Sequence, residues 1–421
     1  MLKSIIKSAT FKQSQVAIIS TIINGTLGAL FYITLARLVG PSSFGLLTVS
    51  LTTLVLIADI VDIGTNTGLI RFVSSNLTTD RNKAYRFLKL SLEIKLIVWL
   101  ITFVVIFSLA PFLATNIFHK SSLVSPLRLV GFGVGGALLF TFATSMLQAF
   151  QKYFLWSLVN ITTNFLRLLL ILILGFYLKL NVQSSLATYI ALPMFGFFMT
   201  LLLVPAREIF SAKSEFLLLK ELLKYNLPVA IFTIIAAFSS KLDTFLSATL
   251  LSSREVGIYG AASQLVQVVP QVVAGLGLVA APKFSSFTSE HQMVIYLKKL
   301  QLLVSGLVLI GILLLPLAIY LIPVLFGQAY QDSISIFIIL FFAMLVFLFS
   351  LPVHSSVIFY FGRPDVFIWV SIGNLILVGG LGYLMIQNLG MIGAAVSVLI
   401  GTAFSFLYPL VWLLVKLKKN K

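Results

Sequence analysis

The sequence of 421 residues contains no cysteine and only three histidines, His119, His291 and His354. Without cysteine the protein has no disulfide framework, no thiolate metal site and no cysteine nucleophile. Histidines scattered this widely do not form a metal-ligand motif. We therefore predict no metal site.

Charged residues are also scarce. They make up 10% of the chain, whereas 59% is hydrophobic and the mean hydropathy is +1.09; soluble domains carry roughly 25% charged residues. These values predict an all-α, multi-pass membrane protein. The predicted membrane spans are 14–39, 44–70, 88–113, 127–149, 154–178, 185–205, 228–251, 256–281, 301–326, 333–360, 366–387 and 391–414.

The loops between these twelve spans are short. The longest gaps, 206–227 and 282–300, are too small to fold as soluble domains. P-loop, dinucleotide-binding and nucleophile-elbow motifs do not occur in a suitable context. We therefore predict that the protein is not an enzyme, has no catalytic residues and no organic cofactor, and that its function resides among the spans.

The positive charge is distributed unevenly between the two ends of the spans. Of the 29 lysines and arginines, 21 flank the spans on the side of the termini and only 5 flank them on the other side. The positive-inside rule then predicts cytoplasmic termini in a cell membrane. The net charge of +17 thus serves orientation, and we do not expect nucleic acid as a partner.

The chain repeats weakly at an offset of 212 residues. Ala36, Leu38, Gly45 and Pro111 recur as Ala248, Leu250, Gly257 and Pro323. Six spans per half is an even number, so both halves enter the membrane in the same direction. We predict two six-helix bundles, 1–210 and 211–421, related by a parallel repeat with the substrate site between them.

Polar side chains recur at helical spacing in three spans, where they either join helices or line a cavity. These stripes are Asp59, Asp62 and Asn66 in the second span, Ser157, Asn160, Asn164 and Arg167 in the fifth, and Gln264, Gln267 and Gln271 in the eighth.

Of the charged residues within the predicted spans, five are the ones for which we expect a functional or ion-pair role: Asp59, Asp62, Arg167, Lys241 and Asp243. Each costs about 2.5–3.5 kcal/mol on insertion scales, so each needs a wet cavity or an ion-pair partner. Lys241 and Asp243 are two residues apart and face different sides of a helix, so they do not neutralise one another.

Two charges and one histidine are expected to have ordinary roles. Glu93 and Lys95 lie near the start of the third span, where we expect them to reach back toward the membrane surface. For His354, within an apolar span, we expect a hydrogen-bonded packing role.

Several strings resemble the flippases of polysaccharides and lipid-linked oligosaccharides, in the multidrug/oligosaccharidyl-lipid/polysaccharide exporter superfamily. They are LARLVGPSSFGLLTVS and DIGTNTGLIRFVSS near the second span, DTFLSATLLSSREVGIYGAA at the seventh and eighth, IPVLFGQAY at 322–330 and LGMIGAAVSVLIG at 389–401. One departure is SSLATYIA at the start of the sixth span, where the family has a glycine-rich entry.

The resemblance implies two six-helix bundles around a central cavity that opens alternately to each side. It implies a polyprenyl-pyrophosphate-linked glycan as cargo, moved from the cytoplasmic to the outer leaflet, with Na⁺ or H⁺ as the coupling ion. Membrane lipid and the polysaccharide polymerase machinery are the other expected partners.

Such a headgroup is anionic and rich in hydroxyl groups. The resemblance therefore implies roles for the polar residues of the spans. We expect Lys241 and Arg167 to bind the pyrophosphate, and Gln264, Gln267, Gln271, Asn160 and Asn164 to bind sugars. Asp59, Asp62 and Asp243 are expected to carry the coupling ion or to form ion pairs. The three carboxylates also keep open a multidrug exporter of cationic amphiphiles. A membrane-embedded glycosyltransferase is a third possibility, which the sequence disfavours because none of its loops is long enough to carry a catalytic site.

Overall fold

The computed structural model describes residues 9–177, 180–213 and 215–419, and within these ranges the chain is helical with no β-strand. Its helices are connected by short turns. Ten of the helices are long and apolar enough to cross a membrane by length and composition. The predicted all-α class is therefore confirmed, and the protein is a multi-pass membrane protein.

The first compact unit comprises the described part of Met1–Val39 together with Leu46–Phe238. Its helices, in chain order, are α1 (Ala9–Val61), α2 (Thr65–Asn76), α3 (Arg81–Phe112), α4 (Val124–Ala149), α5 (Tyr153–Tyr177), α6 (Val182–Leu203), α7 (Ala206–Ser211) and the first part of α8 (Phe216–Leu250). A π-turn, Leu113–Ile117, extends α3.

The second unit comprises Gly40–Gly45 and Ser239–Lys421. Its helices are the rest of α8, α9 (Ser253–Val266), α10 (Val268–Ser285), α11 (Glu290–Phe326), α12 (Ser333–Ser355), α13 (Val366–Ile376), α14 (Gly382–Leu389) and α15 (Met391–Lys419). The division at Phe238 and Ser239 falls within α8, whereas the sequence prediction placed it at 210/211, before that helix begins.

The structure has ten apolar helices and the sequence predicts twelve spans, and two helices account for the difference. The first helix is apolar over Gln15–Val61, 47 residues, which at 1.5 Å per residue measures about 70 Å, more than twice the thickness of a hydrocarbon core. Gly40, with φ 76° and ψ 166°, breaks it into two spans. Helix α8, which contains the predicted span 228–251, supplies the remaining one.

A close helix contact within the second unit reproduces the repeat. A Cβ atom on Gly45 would overlap the Ser253 carbonyl oxygen, and one on Gly257 would overlap the Pro41 carbonyl oxygen. Gly45 and Gly257 are 212 positions apart, and so are Pro41 and Ser253. Reciprocal contacts of this kind are characteristic of a local two-fold relation, and small residues permit such close approach of helices in lipid.

The apolar core of the first unit lies at its basic end. It joins α2 and the start of α3 to the ends of α4 and α6 and to α7 and the start of α8. Phe72 of α2 stacks on Phe87 of α3 with ring centroids 4.9 Å apart. Tyr225 of α8 contacts Phe72 edge-on. This packing fixes the helix ends that carry most of the charged side chains of this unit.

Candidate functional site

A polar network lies among α1, α5 and α6 of the first unit. Asn164 and Arg167 are three residues apart on α5, and Arg167 Nη1 donates to Asn164 Oδ1 at 3.2 Å. Asn164 Nδ2 donates across to Asn24 Oδ1 of α1 at 2.8 Å. Asn24 Nδ2 in turn donates to Ser20 Oγ at 3.1 Å. The chain of amides thus connects the guanidinium to a neighbouring helix.

Aromatic rings complete the surroundings of this guanidinium. Arg167 Cζ lies 4.1 Å from the ring centroid of Tyr189 on α6 and 5.8 Å from that of Phe31 on α1. We call Asn24, Phe31, Asn164, Arg167 and Tyr189 the Arg167 cluster.

The Arg167 cluster carries a positive charge that the described residues do not neutralise. No carboxylate of the described chain lies within ion-pair distance of Arg167. Its Nε atom is buried and has no hydrogen-bond acceptor within the same described residues. An amide oxygen and ring faces stabilise a cation only in part, so the cluster is suited to bind an anion.

The structure brings only part of the predicted fifth-span stripe into this cluster. Asn164 and Arg167 belong to it, but Asn160 Nδ2 donates back to the Trp156 carbonyl oxygen at 2.8 Å. Sequence analysis missed Asn24 and Tyr189. Asn24 is a single polar residue in an apolar span, and a tyrosine gives no polar-stripe signal.

A second charged site in the first unit is an ion pair between Lys95 and Asp62. The Lys95 side chain is 2% exposed and that of Asp62 is 14% exposed. The expectation that Lys95 reaches the membrane surface is wrong, because its ammonium group binds a carboxylate in the turn between α1 and α2 instead. The partners are 33 residues apart in sequence.

The predicted stripe of Asp59, Asp62 and Asn66 does not lie on one continuous helix. Helix α1 ends at Val61, and Ile63 and Gly64 adopt φ of 51° and 66° before α2 starts. Asp62 accepts hydrogen bonds from Thr65 Oγ1 at 2.9 Å and from the Asn66 backbone N–H at 3.3 Å. Asp62 therefore also accepts hydrogen bonds from donors in the first turn of α2. Asp59, in contrast, is exposed.

The glutamine stripe of the eighth span is also interrupted. Helix α9 ends at Val266 and α10 begins at Val268. Pro270 explains the break, since it has no N–H to donate to the carbonyl of Val266. Gln264 is half-buried, whereas Gln267 and Gln271 are exposed.

Lys241 and Asp243 have separate environments in the second unit. Asp243 accepts a hydrogen bond from the hydroxyl of Tyr259, a fully buried side chain of α9. Lys241 is half-buried. In the described part of the chain it forms no hydrogen bond and no ion pair with the glutamines of α9 and α10 or with another residue. Its predicted contact with a pyrophosphate stays a prediction.

His354 lies among α12, α13 and α15. Its Nε2 lies 2.9 Å from the Ser405 carbonyl oxygen, and its ring meets the Phe367 ring edge-on. These contacts agree with a packing role. Across the described ranges, no group of three His, Cys, Asp or Glu side chains is placed to hold a metal ion.

Comparisons with known proteins place this geometry in context. A multidrug resistance MATE family transporter of the MOP superfamily, in an inward-facing conformation, matches with a TM-score of 0.77 and 15% identity over 94% of each chain. The lipid II flippase MurJ in an inward closed conformation matches with a TM-score of 0.74 and 14% identity, covering 96% of this chain and 87% of MurJ. At these identities the matches show the fold.

Curated protein sequences gave no match. The family model described as "polysaccharide biosynthesis protein" matches residues 11–288. This segment includes the Arg167 cluster, the Asp62–Lys95 pair and both ends of the 212-residue repeat at Gly45 and Gly257. Since the match extends over more than half of the chain and confirms the resemblance seen in the sequence, the protein belongs to the polysaccharide biosynthesis protein family.

Proposed function

We propose that the protein is a flippase that moves a polyprenyl-pyrophosphate-linked oligosaccharide from the cytoplasmic to the outer leaflet of the cell membrane by alternating access. Membership of the polysaccharide biosynthesis family supports this substrate class. The fold supports the mode of action, since one similar structure is described as a lipid II flippase. The excess of basic residues on the side of the termini supports a cytoplasmic location for both termini.

The Arg167 cluster is the observation that carries the proposal. A guanidinium near the middle of α5 has no carboxylate partner among the described residues and keeps a buried Nε donor free. Arginine binds phosphate oxygens through two parallel hydrogen bonds. The pyrophosphate of the substrate supplies the missing charge and acceptors at that position.

The neighbouring groups suit the remainder of such a headgroup. Asn24 and Asn164 present amides that exchange hydrogen bonds with sugar hydroxyls, and Tyr189 presents an amphipathic ring. Lys241 and the glutamines 264, 267 and 271 provide further cationic and amide groups in the second unit. Na⁺ or H⁺ at Asp243 or Asp59 is the proposed coupling, and a polysaccharide polymerase is the proposed downstream partner.

A multidrug exporter is the second candidate, because the MATE transporter shares the fold with a TM-score of 0.77. Export of cationic amphiphiles calls for unpaired carboxylates in the spans. Asp62 is bound to Lys95 and Asp243 to Tyr259. Arg167 and Lys241 both lack a carboxylate partner among the described residues, which favours an anionic substrate.

The test is transport by Arg167→Gln in proteoliposomes that contain a fluorescent polyprenyl-pyrophosphate oligosaccharide. Loss of a charge-assisted hydrogen bond of about 1.5–3 kcal/mol predicts a reduction of about tenfold or more in flipping rate. Arg167→Lys should retain part of the activity, because it keeps the charge and loses the planar fork.

Arg128→Gln is the matched control. Arg128 also lies over an aromatic ring, 4.8 Å from the centroid of Phe107, but near the start of α4. The Arg128→Gln variant should flip the substrate at the wild-type rate. Normal flipping by folded Arg167→Gln would reject the role of the cluster, and export of a cationic dye without oligosaccharide flipping would favour the multidrug alternative.

A further inference from the structure

A pocket with an excess of positive charge lies at the basic end of the first unit. It has a volume of about 520 Å³ between the start of α3 and the segment that follows α6. Its walls carry three cations, Arg81, Arg86 and Lys213, and one carboxylate, Glu208. The charge balance of these walls favours an anion.

Two contacts hold the walls of the pocket in place. Lys89 Nζ donates to the carbonyl oxygens of Phe210 and Ala212 at 3.1 and 2.7 Å, and Arg86 Nη1 pairs with Glu215 at 2.7 Å. These contacts fasten the segment after α6 to α3. The pocket is therefore a feature of packed helices rather than a gap between loose chain segments.

The other two cations remain available to a ligand. Arg81 Nη2 lies 3.9 Å from Glu208, and the two side chains are 66% and 57% exposed, so this ion pair is weak. Arg81 Nε donates to the Tyr85 hydroxyl at 2.7 Å, which leaves its two terminal nitrogens for a ligand. Lys213 is exposed and, among the described residues, forms no ion pair. An incoming phosphate group would meet both cations without breaking a buried ion pair.

The segment that lines the pocket also carries exposed apolar side chains. Helix α3 continues from the pocket as a membrane-spanning helix, and α6 ends next to it at Leu203. Leu202 is 87% exposed and Phe210, on α7, is 48% exposed. A ligand with an anionic head and hydrocarbon chains matches this combination, because the chains would run along α6 while the head enters the pocket.

We propose that this pocket binds the headgroup of an anionic phospholipid from the adjacent leaflet. Arg81 and Lys213 bind the phosphate, and Glu208 limits the affinity by repulsion. This site is separate from the transported substrate. Binding would attach the segment between α6 and α8 to the membrane surface.

The experiment measures lipid retained by the delipidated, purified protein in native mass spectrometry after addition of phosphatidylglycerol or phosphatidylcholine. The wild-type protein should retain phosphatidylglycerol preferentially. At about 1 kcal/mol per cation near a membrane surface, Arg81→Gln/Lys213→Gln should bind phosphatidylglycerol about 30-fold more weakly. Lys298→Gln/Lys299→Gln, which removes two exposed cations of α11, is the matched control and should bind like the wild type.

A gain-of-binding variant makes the test independent of any folding defect. Glu208→Gln removes the carboxylate and keeps every cation of the pocket, so phosphatidylglycerol should bind about fivefold more tightly. Weaker or unchanged binding by this variant would overturn the proposal. Equal retention of phosphatidylglycerol and phosphatidylcholine by the wild-type protein would also overturn it. So would a loss of phosphatidylglycerol binding in Lys298→Gln/Lys299→Gln as large as that in Arg81→Gln/Lys213→Gln. If inorganic phosphate alone raises the unfolding temperature as much as phosphatidylglycerol does, the site takes a free anion and the lipid proposal is wrong.

Discussion

Lys95 and Arg167 both lie on apolar helices of the first unit, and their surroundings differ. Lys95 is almost completely buried and pairs with the Asp62 carboxylate. Arg167 is half-buried and is surrounded by the Asn164 amide and the rings of Tyr189 and Phe31. One site is neutral as a whole, whereas the other keeps its net charge. The first site is satisfied within the described residues, whereas the second keeps the charge that we propose an anion balances.

The two sites differ also in their connection to the backbone. Asp62 lies in the turn between α1 and α2 and binds both Lys95 of α3 and the first turn of α2. The Arg167 cluster links α1, α5 and α6 through side chains alone. We therefore expect changes at the ion pair to affect folding, and changes at the cluster to affect transport first.

The largest expected effect follows from Lys95→Met. Removal of the ammonium leaves the Asp62 carboxylate without its charge partner, which costs about 3–5 kcal/mol in buried ion pairs. The variant should lose most of its folded protein, measured as monodisperse protein after detergent extraction and as the unfolding midpoint. A midpoint equal to that of the wild type would mean that the pair contributes no stability.

Neutralising both partners should restore the fold. In Asp62→Asn/Lys95→Met the amide oxygen still accepts from one of the two donors, Thr65 Oγ1 and the Asn66 N–H, which bind different oxygens of Asp62, and no buried charge remains. Replacement of a buried ion pair by groups of similar volume is often neutral or stabilising, so the unfolding midpoint should return close to the wild-type value. Restored folding without restored flipping would indicate that Asp62 also has a role in transport.

Sequence patterns predicted those features that depend on neighbouring residues. The apolar spans and the placement of Asn164 and Arg167 on one helix face follow from local periodicity, although the hydrogen bond between these two residues was not predicted. The kink between the first two spans was also visible, because GPSS interrupts the apolar pattern. The constant offset of 212 residues predicted which glycines occupy equivalent positions, although not that Gly45 and Gly257 would meet.

Contacts between helices that are far apart in sequence could not be predicted from local sequence patterns. Lys95 pairs with a residue 33 positions earlier, and only the packing of α3 against the end of α1 brings the two together. The break at Ile63 and Gly64 was assigned to a continuous span, since a single glycine is tolerated within an apolar helix. Tyr189 acts through its ring face, which a search for polar stripes ignores.

A smaller effect is expected from Asn164→Leu, which tests how far the Arg167 cluster depends on its amide chain. The change removes the hydrogen bonds to Asn24 and Arg167 and leaves the Asn24 carbonyl oxygen without its donor. The free energy of unfolding should fall by about 1–3 kcal/mol, and flipping should slow because the guanidinium loses its orientation. Asn160→Leu on the same helix is the control, since Asn160 binds only its own helix backbone among the described contacts.

The smallest expected effect separates the ring of Tyr189 from its hydroxyl group. Tyr189→Phe keeps the ring face 4.1 Å from the guanidinium and removes only the hydroxyl group, whereas Tyr189→Leu removes the ring. A cation–π contact contributes about 0.5–2 kcal/mol, so Tyr189→Leu should slow flipping by about two- to thirtyfold. Tyr189→Phe should retain most of the rate. Equal losses in the two variants would assign the effect to the hydroxyl group, and Arg167 would then be held by the amides of α1 and α5 alone.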